Sequence, residues 1–280
     1  MVFGDLLLEV MGALREARGP DGGFGPRPGL PSEPEETALA AIALDDDQAR
    51  AWLEAHQRAD GSFAPVEGPI VNDSATALAA IALAPGDASR RAIDHVLETP
   101  AARVLSDPRV PHDPDLRGWA WTEGTFGWVE PTSRALLGLR LLRPDATDAI
   151  GEAVATLRDR EVQGGGGWNH GNPLAFGVHL SAYGQTTALA LMALRGLDAG
   201  LEARGLAALQ RLWGAERDGS LTLATSVAAL RLYDDRASEG PAAAALAASS
   251  VAPRFEGDVV TLAWTAIALG PGLDVLRGAA

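Results

Sequence analysis

Three carboxylates crowd four positions in Glu33-Pro34-Glu35-Glu36, directly ahead of Thr37-Ala38. Like charges this close raise one another's pKa, and burial raises it further, so one carboxyl of such a cluster can stay neutral and donate a proton. The same residues also fit a plainer role. Acidic side chains in a first helical turn complement the helix dipole, and Pro34 suits the first helical position. A second concentration of chemistry-bearing side chains is aromatic. Trp119, Trp121, Phe126 and Trp128 fall within ten residues, and Trp168, Phe176 and Tyr183 follow in a later segment. His112, His170 and His179 belong to the same two stretches, roughly 100–130 and 164–183, which are longer than a tight connection needs. Long ordered loops are usually functional. Trp119, Trp121, Phe176 and Tyr183 read as ligand-facing rings at an apolar opening. Trp128 and Trp168 read either as further substrate contacts or as packing residues in the slot that Phe24 and Phe63 fill earlier in the chain.

The elements that position these residues are repeated. Asp21-Gly22-Gly23-Phe24 precedes Thr37-Ala38-Leu39-Ala40-Ala41-Ile42-Ala43-Leu44, and Asp60-Gly61-Ser62-Phe63 precedes Thr76-Ala77-Leu78-Ala79-Ala80-Ile81-Ala82-Leu83, with both landmarks shifted by 39 residues. A period of this size signals a repeat architecture. Weaker copies start at Thr132, Thr187, Thr225 and Leu262. Between them lie six amphipathic stretches, near 5–18, 48–58, 88–99, 145–161, 199–214 and 240–251. The Ala-rich helices are apolar on most faces and belong inside, whereas the amphipathic ones have one wet face and belong outside. Six helices inside six predict an all-α fold, an α/α toroid of six hairpins over residues 1–280, with loops 100–130 and 164–183 at one mouth. Closure accounts for the lack of polar capping repeats, which an open solenoid requires. No stretch alternates with the period of a strand.

At this point a family resemblance becomes explicit. Arg50-Ala51-Trp52-Leu53, Gln57 and Gly61-Ser62-Phe63 resemble the QW repeat of squalene–hopene cyclases and related terpenoid cyclases. Gln163 with Gly166-Gly167-Trp168 is a second match, and Leu14, Arg18 and Gly22-Gly23-Phe24 a third with Arg in place of Gln. Protein prenyltransferase β subunits share the toroid. The resemblance implies that the Gln residues cap helix ends and the aromatics pack on them. Class II cyclases protonate an alkene with an Asp of a D-x-D-D-T-A motif and shield the carbocation with aromatic faces. Glu33 to Ala38 occupies the matching slot with Glu for Asp, which implies Glu36 as donor and Glu33 as its partner. The second unit, Asn72-Asp73-Ser74-Ala75-Thr76, cannot build such a cluster. Against an enzyme stand the missing D-x-D-D, an aromatic content of 5% and one toroid where most class II cyclases carry two helical barrels. Two readings therefore stand: a cyclase-like enzyme acting on an apolar isoprenoid, and a non-catalytic toroid that binds a lipid tail or peptide or serves as a scaffold.

Composition removes other classes. All 23 basic residues are Arg, against 37 acidic ones, and a net charge of −14 disfavours nucleic acid and anionic lipid as partners. There is no Cys, so neither a thiolate nucleophile nor the zinc site of the prenyltransferases can form. The His residues lack tight ligand spacing, so neither metal nor cofactor is expected. Gly164 to Gly167 lacks the context of a phosphate loop and reads as a hairpin turn, and no G-x-S-x-G elbow is present. Met1 to Arg18 carries Asp5 and Glu9 and lacks the basic start of a signal peptide. With no apolar run near the ~20 residues of a membrane span, a cytoplasmic protein is expected.

Overall fold

The computed structural model describes residues 2–65, 73–103, 105, 112–122, 124–175, 177–215, 219–250 and 258–278. In chain order the elements are α1 (Val2–Glu16), α2 (Pro34–Leu44), α3 (Asp47–His56), α4 (Asp73–Ala82), α5 (Asp87–Glu98), α6 (Val129–Leu142), α7 (Thr147–Asp159), the two-residue strands β1 (Leu174–Ala175) and β2 (Val178–His179), α8 (Gly184–Leu194), α9 (Ala199–Ala215), α10 (Ser220–Leu232), α11 (Arg236–Ser250), α12 (Val259–Leu269) and α13 (Gly272–Arg277).

The Ala-rich helices form a closed inner ring. Helix α2 packs on α4, α4 on α6, α6 on α8, α8 on α10, α10 on α12, and α12 returns to α2. Outside it, α3, α5, α7, α9 and α11 lie on α2, α4, α6, α8 and α10 respectively, while α1 supplies the outer partner of α12, so the two ends of the chain complete the sixth pair. This is the α/α toroid. Ile42, Ile81 and Met192 are all buried in it. Small residues set the spacing of the walls: a Cβ on Gly205 of α9 would lie 2.8 Å from the Trp168 ring and 2.9 Å from Leu191.

Among the described residues one hydrogen-bond device recurs in four units. A threonine hydroxyl near the start of an inner helix accepts the backbone N–H of the aromatic residue in the preceding turn. The pairs are Thr37 with Phe24 (2.9 Å), Thr76 with Phe63 (3.0 Å), Thr132 with Trp119 (3.0 Å) and Thr187 with Trp168 (3.0 Å). The clamp satisfies a buried donor that the turn leaves without a partner. It also corrects the sequence reading of the third unit: Trp119, not Trp128, fills the packing slot. In the last two units the hydroxyls of Thr225 and Thr265 turn back to carbonyls of their own helices.

The resemblance to QW repeats has a physical counterpart. Gln57 Nε2 donates to Gly61 O (3.1 Å) and to Ala88 O of α5 (2.8 Å), tying its turn to the next outer helix. Arg18, standing where Gln is usual, donates to Gly22 O (3.4 Å) and pairs with Asp46, the N-cap of α3.

The C-terminal end of the ring is finished by arginines and a short helix. Arg50 reaches Ala82 O (3.0 Å), Arg140 reaches Ala193 O (2.6 Å) and Arg231 reaches Ala268 O, each satisfying a last-turn carbonyl of a neighbouring inner helix. Helix α13, absent from the sequence reading, lies across this end. It buries Leu273 and Leu276, touches α2, α10 and α12, and places Gly278 where a Cβ would sit 2.9 Å from Leu141 of α6. The β1–β2 hairpin, pairing Leu174 with His179, is the second element that the reading did not foresee.

Candidate functional site

The acidic cluster sits at the N-terminal end of the first inner helix. Glu33 is extended (φ −126°, ψ 151°), its N–H donates to Phe24 O (2.8 Å), and Pro34 starts α2. Glu35 and Glu36 then occupy the first turn. Glu33, Pro34, Glu35 and Glu36, with Pro65 and Ala75, line a cavity of about 180 Å³. The space is closed on one side by the start of α4, which carries Ala75 and Ser74.

Beside it lies a buried ion network. Arg134 of α6 is only 5% exposed. Its Nη2 donates to Glu35 Oε1 (2.6 Å) and to Glu130 Oε1 (2.5 Å), and its Nη1 to Ser74 Oγ (2.6 Å). One guanidinium thus ties α2, α4 and α6 together at the ring's N-terminal end. The Trp121 ring stacks near it, 5.5 Å from centroid to guanidinium carbon, in a cation–π contact.

The environment splits the carboxyls. Burial, reinforced by the charges of Glu35 and Glu33, pushes Glu36 up to about 7 against its own backbone N–H and the more distant Arg134. Burial also acts on Glu35, but the charge and hydrogen bond of Arg134 overcome it and hold that carboxyl below its usual range. Burial pushes Glu130 up despite Arg134, with His170 acting in the opposite sense. Groups whose environments drive their pKa values apart mark where acid and base roles divide. Glu36 is the carboxyl in this set that can carry a proton at neutral pH and that has no arginine partner among the described residues.

The aromatic candidates divide as well. Trp121 joins the acidic cluster through Arg134. Trp128 is half-buried at the N-cap of α6, its ring 4.5 Å from Phe126, and its N–H donates to Trp119 O (2.9 Å). Tyr183 is 40% exposed at the N-cap of α8 and lies 5.3 Å from the His170 ring. Trp119 and Trp168 are enclosed in the wall. Their indole N–H groups donate to Val96 O (2.7 Å) and Leu157 O (2.7 Å), so both rings pack between inner and outer helices rather than facing an opening. Phe176 lies outside the described residues.

The two long loops touch each other. His112 Nε2 is 2.8 Å from Asn172 Oδ1, and the Val129 N–H donates to His170 O (3.0 Å). The three histidines do not converge: His112 is bound to Asn172, His170 pairs with Tyr183, and His179 is exposed on β2. Among the described residues no group of three or more His, Asp or Glu is placed to hold a metal ion, and no helix is long and apolar enough to cross a membrane.

Sequence reasoning missed Arg134, Glu130 and Ser74. The signal was present: Thr-Ser-Arg-Ala-Leu-Leu-Gly-Leu carries a cation at the third position of an inner-helix motif, where the other copies are apolar, and Glu130 stands four residues before it. A charge that must be buried needs a partner, and the i, i+4 position is the nearest place to find one.

No protein-family model matches the sequence, and no curated protein matches it. Solved structures do match in fold. The type II terpene cyclase MstE from Scytonema, in a complex with the product merosterolic acid A, superposes with a TM-score of 0.63 at 15% identity, covering 96% of both chains. Another variant of MstE, bound to its substrate geranylgeranyl dihydroxybenzoate, gives 0.63 and 15% with 98% of both chains covered. A protein from Actinoplanes matches with a TM-score of 0.61 at 15% identity, over 95% of this chain and 98% of that one. The fold is therefore that of the terpene-cyclase-like α/α toroids.

Proposed function

We propose that this toroid takes the end of an apolar isoprenoid chain at its acid-lined mouth and that Glu36, in its neutral form, protonates a double bond there. The proton passes from the Glu36 carboxyl to an alkene carbon, the C=C π pair forms the new C–H bond, and the adjacent carbon becomes a carbocation. The next double bond of the chain attacks that centre and closes a ring. Loss of a proton or capture of water ends the sequence, and Glu36 is reprotonated from solvent. The observation that supports this reading best is the Glu36 carboxyl lining the cavity on the ring's N-terminal rim, pushed up to about 7 by burial. The bound isoprenoids of the structurally similar cyclases fit the same reading. In this proposal loops 100–130 and 164–183 form the mouth, Trp121, Trp128, Phe176 and Tyr183 border the ligand, and a cytoplasmic setting completes the picture.

One observation favours a second reading, an isoprenoid-binding toroid without turnover. A carboxyl pushed up to about 7 holds its proton more tightly than free glutamic acid and is a weaker donor to a carbon base. A single experiment separates the two. Purified protein and the Glu36→Gln variant are incubated with squalene and with a geranylgeranylated phenol, and extracts are analysed by gas chromatography and mass spectrometry. Cyclised products from the wild type alone, with unchanged circular dichroism, are the expected result. Saturable binding by both proteins with no product would establish the second reading, and absence of binding would refute both.

A further inference from the structure

The inner ring does not need Arg134 for packing. It is built of Ala and Leu, and a buried guanidinium costs several kcal/mol of desolvation that apolar residues avoid. Yet Arg134 rises from α6 past α4 to reach α2, two places away around the ring, and ends on Glu35, the immediate neighbour of Glu36.

Resting on the acid role of Glu36, we propose that Arg134 is a positioning residue: by holding Glu35 as its carboxylate partner, it leaves the transferable proton of the cluster on Glu36. Glu35 and Glu36 are adjacent in one helical turn at one cavity, and a single proton between them goes to whichever carboxyl lacks a fixed cation. The geometry decides that choice. Glu35 Oε1 has the guanidinium at 2.6 Å, whereas among the described residues no arginine pairs with Glu36. The other groups that face the cluster do not reverse it. Glu33 is a second negative charge beside Glu36. Glu130 meets Arg134 from the same helix and is faced by His170 from the long loop. Ser74 and the Trp121 ring are neutral.

The test reads protons directly. The ¹³C resonances of the Glu side-chain carboxyls are followed from pH 4 to 9 in the wild type, Arg134→Met, Arg134→Lys and Glu130→Gln, with Glu35→Gln and Glu36→Gln supplying assignments. In the wild type, Glu36 titrates near 7 while Glu35 is ionised well below that pH. In Arg134→Met the order inverts: Glu35, buried without its cation, takes the proton and titrates above Glu36, each unit of change in its midpoint being a tenfold change in its protonated-to-ionised ratio. Arg134→Lys and Glu130→Gln keep the wild-type order, because each retains a cation for Glu35. Should Arg134→Met not fold, Arg134→Met/Glu130→Gln removes the second buried carboxylate with the cation and is expected to show the same inversion. A Glu36 that still titrates near 7 above an ionised Glu35 in these variants would overturn the proposal. The titration needs no substrate, so a protein that binds polyprenes without turnover fails the acid reading and still decides this one.

Discussion

Replacing Glu36 by Gln should stabilise the protein, and only above a defined pH. The carboxyl is carried from its ordinary 4.5 to about 7 in the folded state. The folded protein therefore binds the proton more tightly than the unfolded chain, so wild-type stability falls as pH rises from about 4.5 and is fully reduced above about 7. A displacement from 4.5 to about 7 corresponds at most to about 3.4 kcal/mol at about 1.36 kcal/mol per pKa unit. Glu36 keeps some contact with solvent, so roughly 2–3 kcal/mol is the working figure. Gln mimics the neutral carboxyl in shape and removes the titration. The variant should match the wild type near pH 4.5 and exceed it by that amount at pH 8, a difference of roughly 4–10 °C in Tm for a chain of this size. Urea unfolding followed by circular dichroism at intervals from pH 4 to 8.5 measures the gap. A gap that does not change with pH, or a wild type that gains on the variant between pH 4.5 and 7, would refute the assignment of the raised pKa to Glu36.

Three further outcomes follow from the packing. Thr132→Val should cost about 1–3 kcal/mol in chemical denaturation, because the buried Trp119 N–H loses its acceptor while the Trp119 carbonyl keeps the Trp128 N–H. Thr225→Val, whose hydroxyl among the described residues serves carbonyls of its own helix, should stay within about 0.5–1 kcal/mol; equal losses at the two sites would show that the clamp is not what Thr132 contributes. Gly205→Ala should lose about 1–3 kcal/mol despite a better helix propensity, since its Cβ would press on Trp168 and Leu191, and an unchanged midpoint would mean that α9 can move outward at little cost. Arg134→Ala should lose about 3–5 kcal/mol by leaving Glu35 and Glu130 buried without a cation, and a loss under about 1 kcal/mol would mean that water takes its place.

The ring was legible because its information is local. A Thr-Ala-Leu helix with no wet face must be inside, and six copies of it in alternation with amphipathic stretches fix both the number and the order of the walls. The slot was legible too, at a level that went unused. Thr37 follows Phe24 by 13 residues, Thr76 follows Phe63 by 13, and counting back 13 from Thr132 gives Trp119. Trp128 drew attention because it lies close to its helix, as Trp168 does not: a loop inserted between Trp168 and Thr187 stretches that interval to 19. The acidic cluster could be named from sequence, but its division could not. Whether Glu35 or Glu36 keeps a proton depends on a guanidinium 99 residues away in the chain, and no periodicity carries that distance. Helix α13 escaped notice because six residues are too few to show a period.

That short helix gives the molecule a direction. With α13 lying against α2, α10 and α12 and its end reaching α6, the C-terminal end of the ring is covered, and the acidic cluster stands at the opposite end. Under the proposed activity, substrate and product then share one entrance. A linear polyene threads in by its thin end, but a ring-fused product is wider than the chain it came from and has to back out past the same residues. Glu33, the half-buried Trp121 and the exposed Tyr183 stand at the other end, and under the proposed activity the side chains that admit the ligand also meter its departure. Under the proposed activity, enlarging that entrance at Trp121 or Tyr183 hastens product release while leaving in place the Glu36 carboxyl that makes the first carbon–hydrogen bond.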